Sequence, residues 1–280
     1  MICIGAINIA SQFPGGTNYH FGRYSKFISN GKADVKLNIH NGQLPDLVGA
    51  HQVFDNGVGV RIYLYGDKKV IWIGSEQLGP VQIGLFSENF LAGDIFNRIK
   101  TFSPDGSNFP LEGLMGEFFV INLLGTGLGL CVHACGVIDN GKGMIFAGFG
   151  DAGKSTTAEL WKGTPGVRVI NDDRIIIRKM NGRFRMYGTP WHGIGGDALP
   201  LSAPLEKVFI LKQSSSNQVK GLNPVEGASQ LLARSFPPYW DKAGMDYSLG
   251  LLSELCQSVP CYELGFVPDT SVVEYVRCLS

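Results

Sequence analysis

Apolar and polar residues alternate in short segments through the first hundred residues of the chain. Alternation with a period of two is typical of β-strands that bury one face, and Gly, Asn and Asp residues separate the segments as they do at turns. We therefore predict a β-rich N-terminal lobe that contains one short helix near residues 88–99. The strands predicted in this lobe are residues 2–9, 34–40, 60–65, 70–73 and 81–86.

The pattern changes after residue 102. Residues 102–110 are rich in Pro, Gly, Ser and Asn, which indicates a boundary, and residues 111–124 then carry apolar positions at helical spacing. We expect this helix to pack against a second sheet. The predicted domains are a β-rich lobe of residues 1–108 and an α/β domain of residues 109–280.

The predicted α/β domain alternates strands with helices. Asn140-Gly141 and Asn181-Gly182 are strong hairpin signals, because both central residues of a type I′ turn need a positive φ. The predicted strands are residues 130–137, 143–147, 167–170, 174–179, 183–187, 206–212 and 260–264. The predicted helices are residues 156–161, 224–234, 240–257 and 269–277.

The segment between the second of these strands and the following helix contains a phosphate-binding pattern. Residues 148–155 read Gly-Phe-Gly-Asp-Ala-Gly-Lys-Ser, which fits G-x-x-x-x-G-K-[ST]. Its glycines let backbone N–H groups converge on one anion, and the start of the helix adds further N–H groups and the positive end of its dipole. The strand before it and the helix after it disfavour a glycine-rich turn that matches by chance. The residues predicted to bind nucleotide are Gly148, Phe149, Gly150, Asp151, Ala152, Gly153, Lys154, Ser155 and Thr156.

Five side chains carry the chemistry that this pattern predicts. Lys154 supplies a positive charge for the β- and γ-phosphates of a nucleotide, and the hydroxyl of Ser155 can ligate Mg²⁺. Asp172 and Asp173 follow a short β-branched strand, where a magnesium ligand and a base are expected after a phosphate loop. His133 lies on the strand that we expect to pair with the one leading to the loop. A lone histidine among apolar residues is more often a core residue, and the aspartate pair by itself also fits a turn.

Together these residues resemble the catalytic domain of HPr kinase/phosphorylase and the wider HPr-kinase-like proteins related to ATP-dependent phosphoenolpyruvate carboxykinase. That family has a His-Ala or His-Gly pair on a strand, a hairpin, the phosphate loop, a helix and a strand that ends in Asp-Asp. The order of His133, Gly148 and Asp172-Asp173 is similar, and the resemblance covers roughly residues 115–265, most closely 130–190. It implies a mixed sheet, whereas composition and periodicity indicate only an α/β fold.

The resemblance also implies a role for each of these residues. Lys154 and Ser155 would bind the phosphates and magnesium. Asp172 would accept the proton of a substrate hydroxyl, and Asp173 would bind the metal ion. His133 would lie near the transferred phosphoryl group.

The chain departs from the family pattern in two places. Gly150-Asp151 replaces the serine that is usual in the family's loop, and an acidic side chain beside phosphates is unfavourable unless it points outward. The C-terminal loop through which HPr kinases dock their protein substrate has no counterpart that we recognise. HPr as a substrate and the reverse phosphorylase reaction therefore stay open.

Residues 188–196 form a glycine-rich segment after a predicted strand, and it contains Trp191 and His192. HPr-kinase-like proteins often carry Gly-Thr-Pro-Trp here, and such a loop could close over the nucleotide or the acceptor hydroxyl. An ordinary connecting loop with a packed tryptophan fits equally well, so His192 is a second-rank site candidate. The basic residues that could reach the phosphates, although a solvated face is the preferred interpretation for each, are Lys207, Lys212, Lys220 and Arg234.

Composition narrows the class of protein. The 24 Lys and Arg balance the 24 Asp and Glu, and a net charge of zero argues against a nucleic-acid binder or an anionic-membrane binder. No apolar run is long enough to span a bilayer, and the first residues lack the basic segment of a signal peptide, so we expect a cytoplasmic protein with free thiols. The spacing of the six cysteines disfavours a zinc site.

The predicted function is an ATP- and Mg²⁺-dependent kinase that transfers the γ-phosphoryl group to a hydroxyl, with Ser or Thr of a protein or peptide as the expected acceptor. One alternative is a regulatory module that binds nucleotide without transferring phosphate, which Asp151 and the missing docking loop motivate. The other is a carboxykinase acting on oxaloacetate, which the lack of clustered arginines disfavours. A homo-oligomer stays open, because HPr kinases assemble as oligomers.

Overall fold

The computed structural model describes residues 1–13, 20–98 and 109–279. By its internal contacts the chain divides into two units, Met1–Thr126 with Pro238–Lys242 and Gly127–Pro237 with Ala243–Ser280. The boundary predicted at residue 108 lies outside the described residues. The predicted fold class, α/β with mixed sheet and a β-rich N-terminal part, is confirmed at that level.

The first unit is built around one mixed sheet. Its strands are β1 (Ile2–Ile4), β2 (Ile7–Gln12), β3 (Val35–Asn41), β4 (His51–Asp55), β5 (Val60–Tyr65), β6 (Lys68–Ser75), β7 (Gly79–Phe86) and β8 (Ala92–Asn97). Their order in the sheet is β1-β2-β3-β8-β7-β6-β5-β4. β3 pairs in parallel with both β2 and β8, and the strands from β4 to β8 form an antiparallel meander.

Two predictions for this unit were wrong. The helix predicted near residues 88–99 is strand β8, because this segment pairs with β3 on one edge and with β7 on the other. Residues 2–9 form two strands and not one, since Gly5 and Ala6 take φ angles of +60° and +59° and reverse the chain. For β8, pairing with strands that are distant in sequence outweighed the local helical pattern. For residues 2–9, a turn without a strong sequence signal interrupted the predicted strand.

Helix α1 (Leu114–Gly125) confirms the helix predicted over residues 111–124. We expected it to pack against the second sheet, but its described packing is within the first unit. The ring of Phe119 stacks on that of Phe86 in β7, with 5.0 Å between the centroids. One turn further along the helix, the indole Nε1 of Trp240 donates to Oδ1 of the buried Asn122 (2.7 Å).

The second unit contains the other nine described strands. They are β9 (Leu130–Asp139), β10 (Lys142–Ala147), β11 (Val167–Asn171), β12 (Arg174–Met180), β13 (Arg183–Gly188), β14 (Ser202–Gln213), β15 (Gln218–Leu222), β16 (Ser235–Phe236) and β17 (Cys261–Phe266). The main order is β10-β9-β12-β13-β14-β17-β15, β11 and β16 also pair with β9, and β10 also pairs in parallel with β14. The helices are α2 (Lys154–Trp161), α3 (Pro224–Leu232), α4 (Lys242–Ser258) and α5 (Ser271–Arg277).

Helices cover both faces of this second sheet. Strand β9 alternates between the faces, so that Val132 belongs to a core shared with α3 and α4, and Val137 to a core shared with α2 and α5. Trp161 of α2 is fully buried in the second of these cores. Across the described ranges, no helix is both long enough and apolar enough to cross a membrane.

Candidate functional site

Strand β9 meets the glycine-rich loop (residues 148–153) on one of its sides. β10 pairs antiparallel with the second half of β9, and its last residue, Ala147, lies opposite Ala134. The chain then leaves the sheet, and the backbone N–H of Gly148 donates to the carbonyl oxygen of His133 (3.3 Å). The glycine-rich loop therefore begins directly beside His133.

The aspartate pair lies on the other side of β9. β11 ends at Asn171 and β12 begins at Arg174, so Asp172 and Asp173 form the two-residue step between them. The register places Arg174 opposite His133, and the backbone of Asp173 is bound to the next residue of β9. The loop, the aspartate pair and His133, which are separated in sequence, are thus at the same level of one strand.

The conformation of the glycine-rich loop is set by two residues with positive φ. Asp151 has φ +58° and Gly153 has φ +99°. A Cβ atom on Gly153 would also lie 2.7 Å from the ring of Phe266, so this position requires glycine for two reasons. Asp151 is exposed, and its carbonyl oxygen accepts from Nε2 of Gln213 (3.2 Å).

Lys154 is the first residue of α2 and is buried, with 7% of its surface exposed. Its Nζ donates to the carbonyl oxygens of Gly148 (3.0 Å) and Phe149 (2.8 Å). Burial lowers the pKa of Lys154 below its ordinary value, while the charge of Asp173 acts in the opposite direction. An ammonium group that is buried beside neutral carbonyl oxygens suits an anionic ligand. Ser155 and Thr156, the next two candidates, are exposed.

His133 and Asp173 form a close pair. Nε2 of His133 lies 2.8 Å from Oδ1 of Asp173, and the guanidinium of Arg174 contacts Oδ2 at 2.5 Å. Burial is the largest single influence on the Asp173 carboxyl and raises its pKa. The hydrogen bond with His133 and the charges of Arg174 and Lys154 together outweigh it, so the net pKa lies below the ordinary value. Asp173 is therefore an ionised carboxylate at neutral pH, and its charge acts on Lys154 at the end of the glycine-rich loop.

Asp172 faces a different segment, the capping loop (residues 191–196). Only 1% of Asp172 is exposed, and its two carboxylate oxygens accept from the backbone N–H groups of Gly193 (2.9 Å) and Gly195 (2.8 Å). A Cβ atom on Gly193 or Gly195 would lie 2.9 or 2.8 Å from Oδ2. These two glycines allow the backbone to approach the carboxylate closely enough to cover it.

Asn171, which was not among the predicted site residues, organises this step between the strands. It is fully buried, and its Nδ2 donates to the carbonyl oxygens of Thr189 and Trp191 (both 2.9 Å). Its Oδ1 accepts from the N–H groups of Asp173 (2.7 Å) and Arg174 (2.6 Å). An Asn directly before two Asp residues at a strand end is a signal for such a side-chain turn.

His192, the second-rank candidate, lies on the capping loop. Its Nδ1 is 2.8 Å from the carbonyl oxygen of Gly193, one of the two residues that bind Asp172. Trp191 beside it is buried, with 6% exposed. The Gly188-Thr-Pro-Trp segment therefore contains a packed tryptophan, as expected for a connecting loop, and it leads into a loop that covers Asp172. Closure of this loop over a nucleotide or an acceptor hydroxyl stays a prediction.

Among the four basic residues considered as possible phosphate ligands, Arg234 contacts the glycine-rich loop. Its guanidinium stacks on the ring of Phe149, 4.2 Å from the centroid, and its carbonyl oxygen accepts from the N–H of His133 (2.7 Å). Burial lowers the pKa of Arg234, and its Nε is buried without a hydrogen-bond partner among the described residues. The preferred interpretation as a solvated side chain was wrong here, because the two-residue strand β16 beside it had no local signal. Two of the other basic candidates have partners of their own. Lys207 donates to the carbonyl oxygen of Leu279, and Lys212 pairs with the carboxylate of Glu263.

The donor set suits Mg²⁺ bound together with phosphate oxygens. Ser155 and Asp173 offer a hydroxyl and a carboxylate, and magnesium is usually bound by one or two carboxylates with substrate phosphates and water. In the part of the chain that the structure describes, no cluster of three or more His, Cys, Asp or Glu side chains is arranged to hold a metal ion. All six cysteines are free thiols. Burial raises the pKa of Cys135 on β9, and the charge of Asp172 acts in the same direction.

Comparisons with known proteins give a family and distant similarity to solved structures. No curated protein matches the chain. A solved structure, the HPr(Ser) kinase/phosphatase from Coxiella burnetii, is similar over 52% of this chain and 90% of its own, with 14% identity and a TM-score of 0.31. At this level the similarity adds nothing to the assignment of fold or function. The family model of the SynChlorMet cassette protein ScmC matches residues 118–265, which contain the glycine-rich loop, both aspartates, the capping loop and Arg234. Because that match covers more than half of the chain, the protein belongs to the ScmC family.

Proposed function

We propose that this protein is an ATP- and Mg²⁺-dependent kinase that transfers the γ-phosphoryl group to the hydroxyl of Ser or Thr in a protein or peptide. One observation supports this best: the glycine-rich loop, the buried Lys154 and the His133–Asp173 pair lie at the same level of β9. Phosphoryl transfer depends chiefly on positioning and charge stabilisation, and these are the groups that supply both.

The triphosphate of ATP binds the glycine-rich loop and the start of α2. Lys154 exchanges its bonds to the carbonyl oxygens of Gly148 and Phe149 for bonds to phosphate oxygens, which relieves the cost of a buried, weakly compensated charge. Arg234 adds a second positive charge beside the loop, since its guanidinium already stacks on Phe149. A planar guanidinium is well suited to bind phosphate oxygens.

Ser155 and Asp173 are the proposed magnesium ligands, and bound Mg²⁺ supplies charge compensation for the phosphate oxygens. His133 and Arg174 hold the Asp173 carboxylate in place through one oxygen each. The lowered pKa of Asp173 keeps this carboxylate ionised throughout the neutral range. His133 thus acts as a positioning residue, and its imidazole lies beside the start of the loop.

Asp172 is the proposed base that accepts the proton of the acceptor hydroxyl as its oxygen attacks in line. Its two oxygens already accept one N–H each, from Gly193 and Gly195, and each oxygen has a further lone pair. Because only 1% of Asp172 is exposed, the capping loop has to move before an acceptor can reach this carboxylate. Opening of this loop is therefore part of the proposed catalytic cycle.

The test is an incubation of the protein with γ-labelled ATP, Mg²⁺ and candidate proteins or peptides, with free serine included. We expect label on a Ser or Thr hydroxyl, with kcat/KM lowered by about 10²–10³-fold in Lys154→Ala and by about 10²–10⁴-fold in Asp172→Asn. Matched controls are Lys212→Ala, whose side chain pairs with Glu263, and Asp67→Asn, whose side chain is 86% exposed. Near-normal rates in both site variants would refute the assignment.

The second candidate function is nucleotide binding without transfer. The cover that Gly193 and Gly195 form over Asp172 favours it, because a permanently covered carboxylate cannot accept a proton from an acceptor. In that case ATP binds and Lys154→Ala weakens the binding, but no acceptor is labelled and Asp172→Asn leaves the affinity for ATP unchanged. Equilibrium binding and labelling on the same preparations distinguish the two functions.

A further inference from the structure

A cavity of about 310 Å³ opens beside the glycine-rich loop. On one side it is lined by the end of the loop, Gly153, and by Thr156 in the first turn of α2. On the other side it is lined by the ends of two parallel neighbouring strands, Gln213 of β14 and Phe266 of β17. The cavity is thus continuous with the loop segment where a bound triphosphate would end.

We propose that this cavity is the nucleoside subsite and binds the adenosine part of ATP, which rests on the proposed function. Its volume lies at the lower end of the range for ligand pockets, about 300–1,000 Å³. That size accommodates a nucleoside. Thr156 follows the Lys154-Ser155 pair, so a ligand that leaves the phosphate positions along the start of α2 enters the cavity next.

The apolar part of the lining suits the faces of an aromatic base. Phe266 and Pro268 both line the cavity, and the ring of Phe266 is close enough to the loop that a Cβ atom on Gly153 would lie 2.7 Å from it. The ring packs beside Gly153 and is mostly buried, with 7% of Phe266 exposed, which restricts its movement. A base that lies against a rigid aromatic ring gains apolar contact without ordering a flexible side chain.

The polar part of the lining suits the edge of adenine. Gln213 donates from Nε2 to the carbonyl oxygen of Asp151 (3.2 Å), which orients its amide, and no described residue donates to its carbonyl oxygen. That oxygen can accept from the exocyclic amino group of adenine, whereas guanine presents a carbonyl oxygen at the same ring position. Ser214, whose Oγ accepts from Nε2 of Gln218 (3.0 Å), adds a hydroxyl to the lining. We therefore expect ATP to bind more tightly than GTP.

The test compares ligands that contain the nucleoside with one that does not. Isothermal titration calorimetry is carried out with ATP, GTP and inorganic tripolyphosphate on the intact protein and on two variants. Ser214→Leu fills the cavity, and Gln213→Ala removes the amide. We expect each to raise the Kd for ATP about tenfold, to change the Kd for tripolyphosphate less than twofold, and, for Gln213→Ala, to reduce the preference for ATP over GTP. The matched control is Gln257→Ala, an exposed glutamine on α4 that bonds Ser253 of the same helix.

Three other outcomes would overturn the subsite. Tripolyphosphate could bind as tightly as ATP, both variants could weaken ATP and tripolyphosphate equally, or neither could change the Kd for ATP. All three leave the proposed kinase intact if Lys154→Ala still weakens both ligands. If the intact protein binds neither ATP nor tripolyphosphate, the proposed function fails and the subsite fails with it.

Discussion

Nε2 of His133 lies 2.8 Å from Oδ1 of Asp173, although the two residues are forty positions apart in sequence. Three backbone contacts of β9 hold this pair at the glycine-rich loop. His133 accepts from Gly148 and donates to Arg234, and Ala134 donates to the carbonyl oxygen of Asp173. The same strand thus fixes the loop, the carboxylate and the arginine relative to one another.

The His133–Asp173 pair predicts a pH dependence of stability. The pKa of Asp173 is lower in the folded protein than in the unfolded chain, where it is about 3.9. Its contribution to stability is therefore fully present above the unfolded value and is lost as the pH falls through the folded value. In urea unfolding between pH 7 and pH 3, Asp173→Asn should be less stable near neutrality and lose less stability on acidification. Asp67→Asn is the control, and equal pH slopes for Asp173→Asn and the parent would contradict the prediction.

The capping loop predicts a sensitivity at Gly195. In Gly195→Ala the new Cβ would lie 2.8 Å from Oδ2 of Asp172, so the loop has to shift and one N–H bond to the carboxylate is lost. We expect the free energy of unfolding to fall by about 1–3 kcal/mol. Gly250→Ala is the matched control, because nothing lies within 4 Å of its Cβ position and helix α4 should gain about 0.5–1 kcal/mol. Equal effects of the two substitutions on thermal unfolding would show that the close approach to Asp172 is not important.

Asn171 predicts a structural effect that reaches both aspartates. Asn171→Ala removes the side-chain bonds to the carbonyl oxygens of Thr189 and Trp191 and to the N–H groups of Asp173 and Arg174. Because these groups are buried or half-buried, we expect the free energy of unfolding to fall by about 2–3 kcal/mol. Asn38→Ala, which removes an exposed bond to Asp94, should cost less than about 0.5 kcal/mol. A similar small loss in both variants would mean that Asn171 does not organise the step.

Arg234 predicts a loss of affinity for anions. Arg234→Gln removes the charge beside the loop, and we expect the Kd of tripolyphosphate to rise about tenfold. Arg234→Lys keeps the charge and loses the planar stacking on Phe149, so an intermediate value is expected. The control is Arg183→Gln, an exposed arginine at the start of β13. If Arg234→Gln binds tripolyphosphate as the parent does, the guanidinium has only a packing role.

Local sequence determined much of the second unit. The Asn140-Gly141 and Asn181-Gly182 pairs form the predicted hairpin turns, with all four residues at positive φ. The strand before the glycine-rich loop and the helix after it are β10 and α2, and helices α3, α4 and α5 lie where helical spacing predicted them. These elements depend on turn chemistry and on periodicity within a dozen residues, which a single sequence displays directly.

The tertiary structure decided what the sequence left open. Strand β8 pairs with β3 on one edge and with β7 on the other, and β16 pairs with β9. Both strands depend on partners that are distant in sequence, and a local pattern does not display such pairing. The difference between two adjacent aspartates was also invisible in sequence. Asp173 turns to His133 and Arg174, whereas Asp172 turns to the capping loop, because Asn171 fixes the backbone between them. A sequence names the residues of a site, but the pairing of distant strands determines which of them meet.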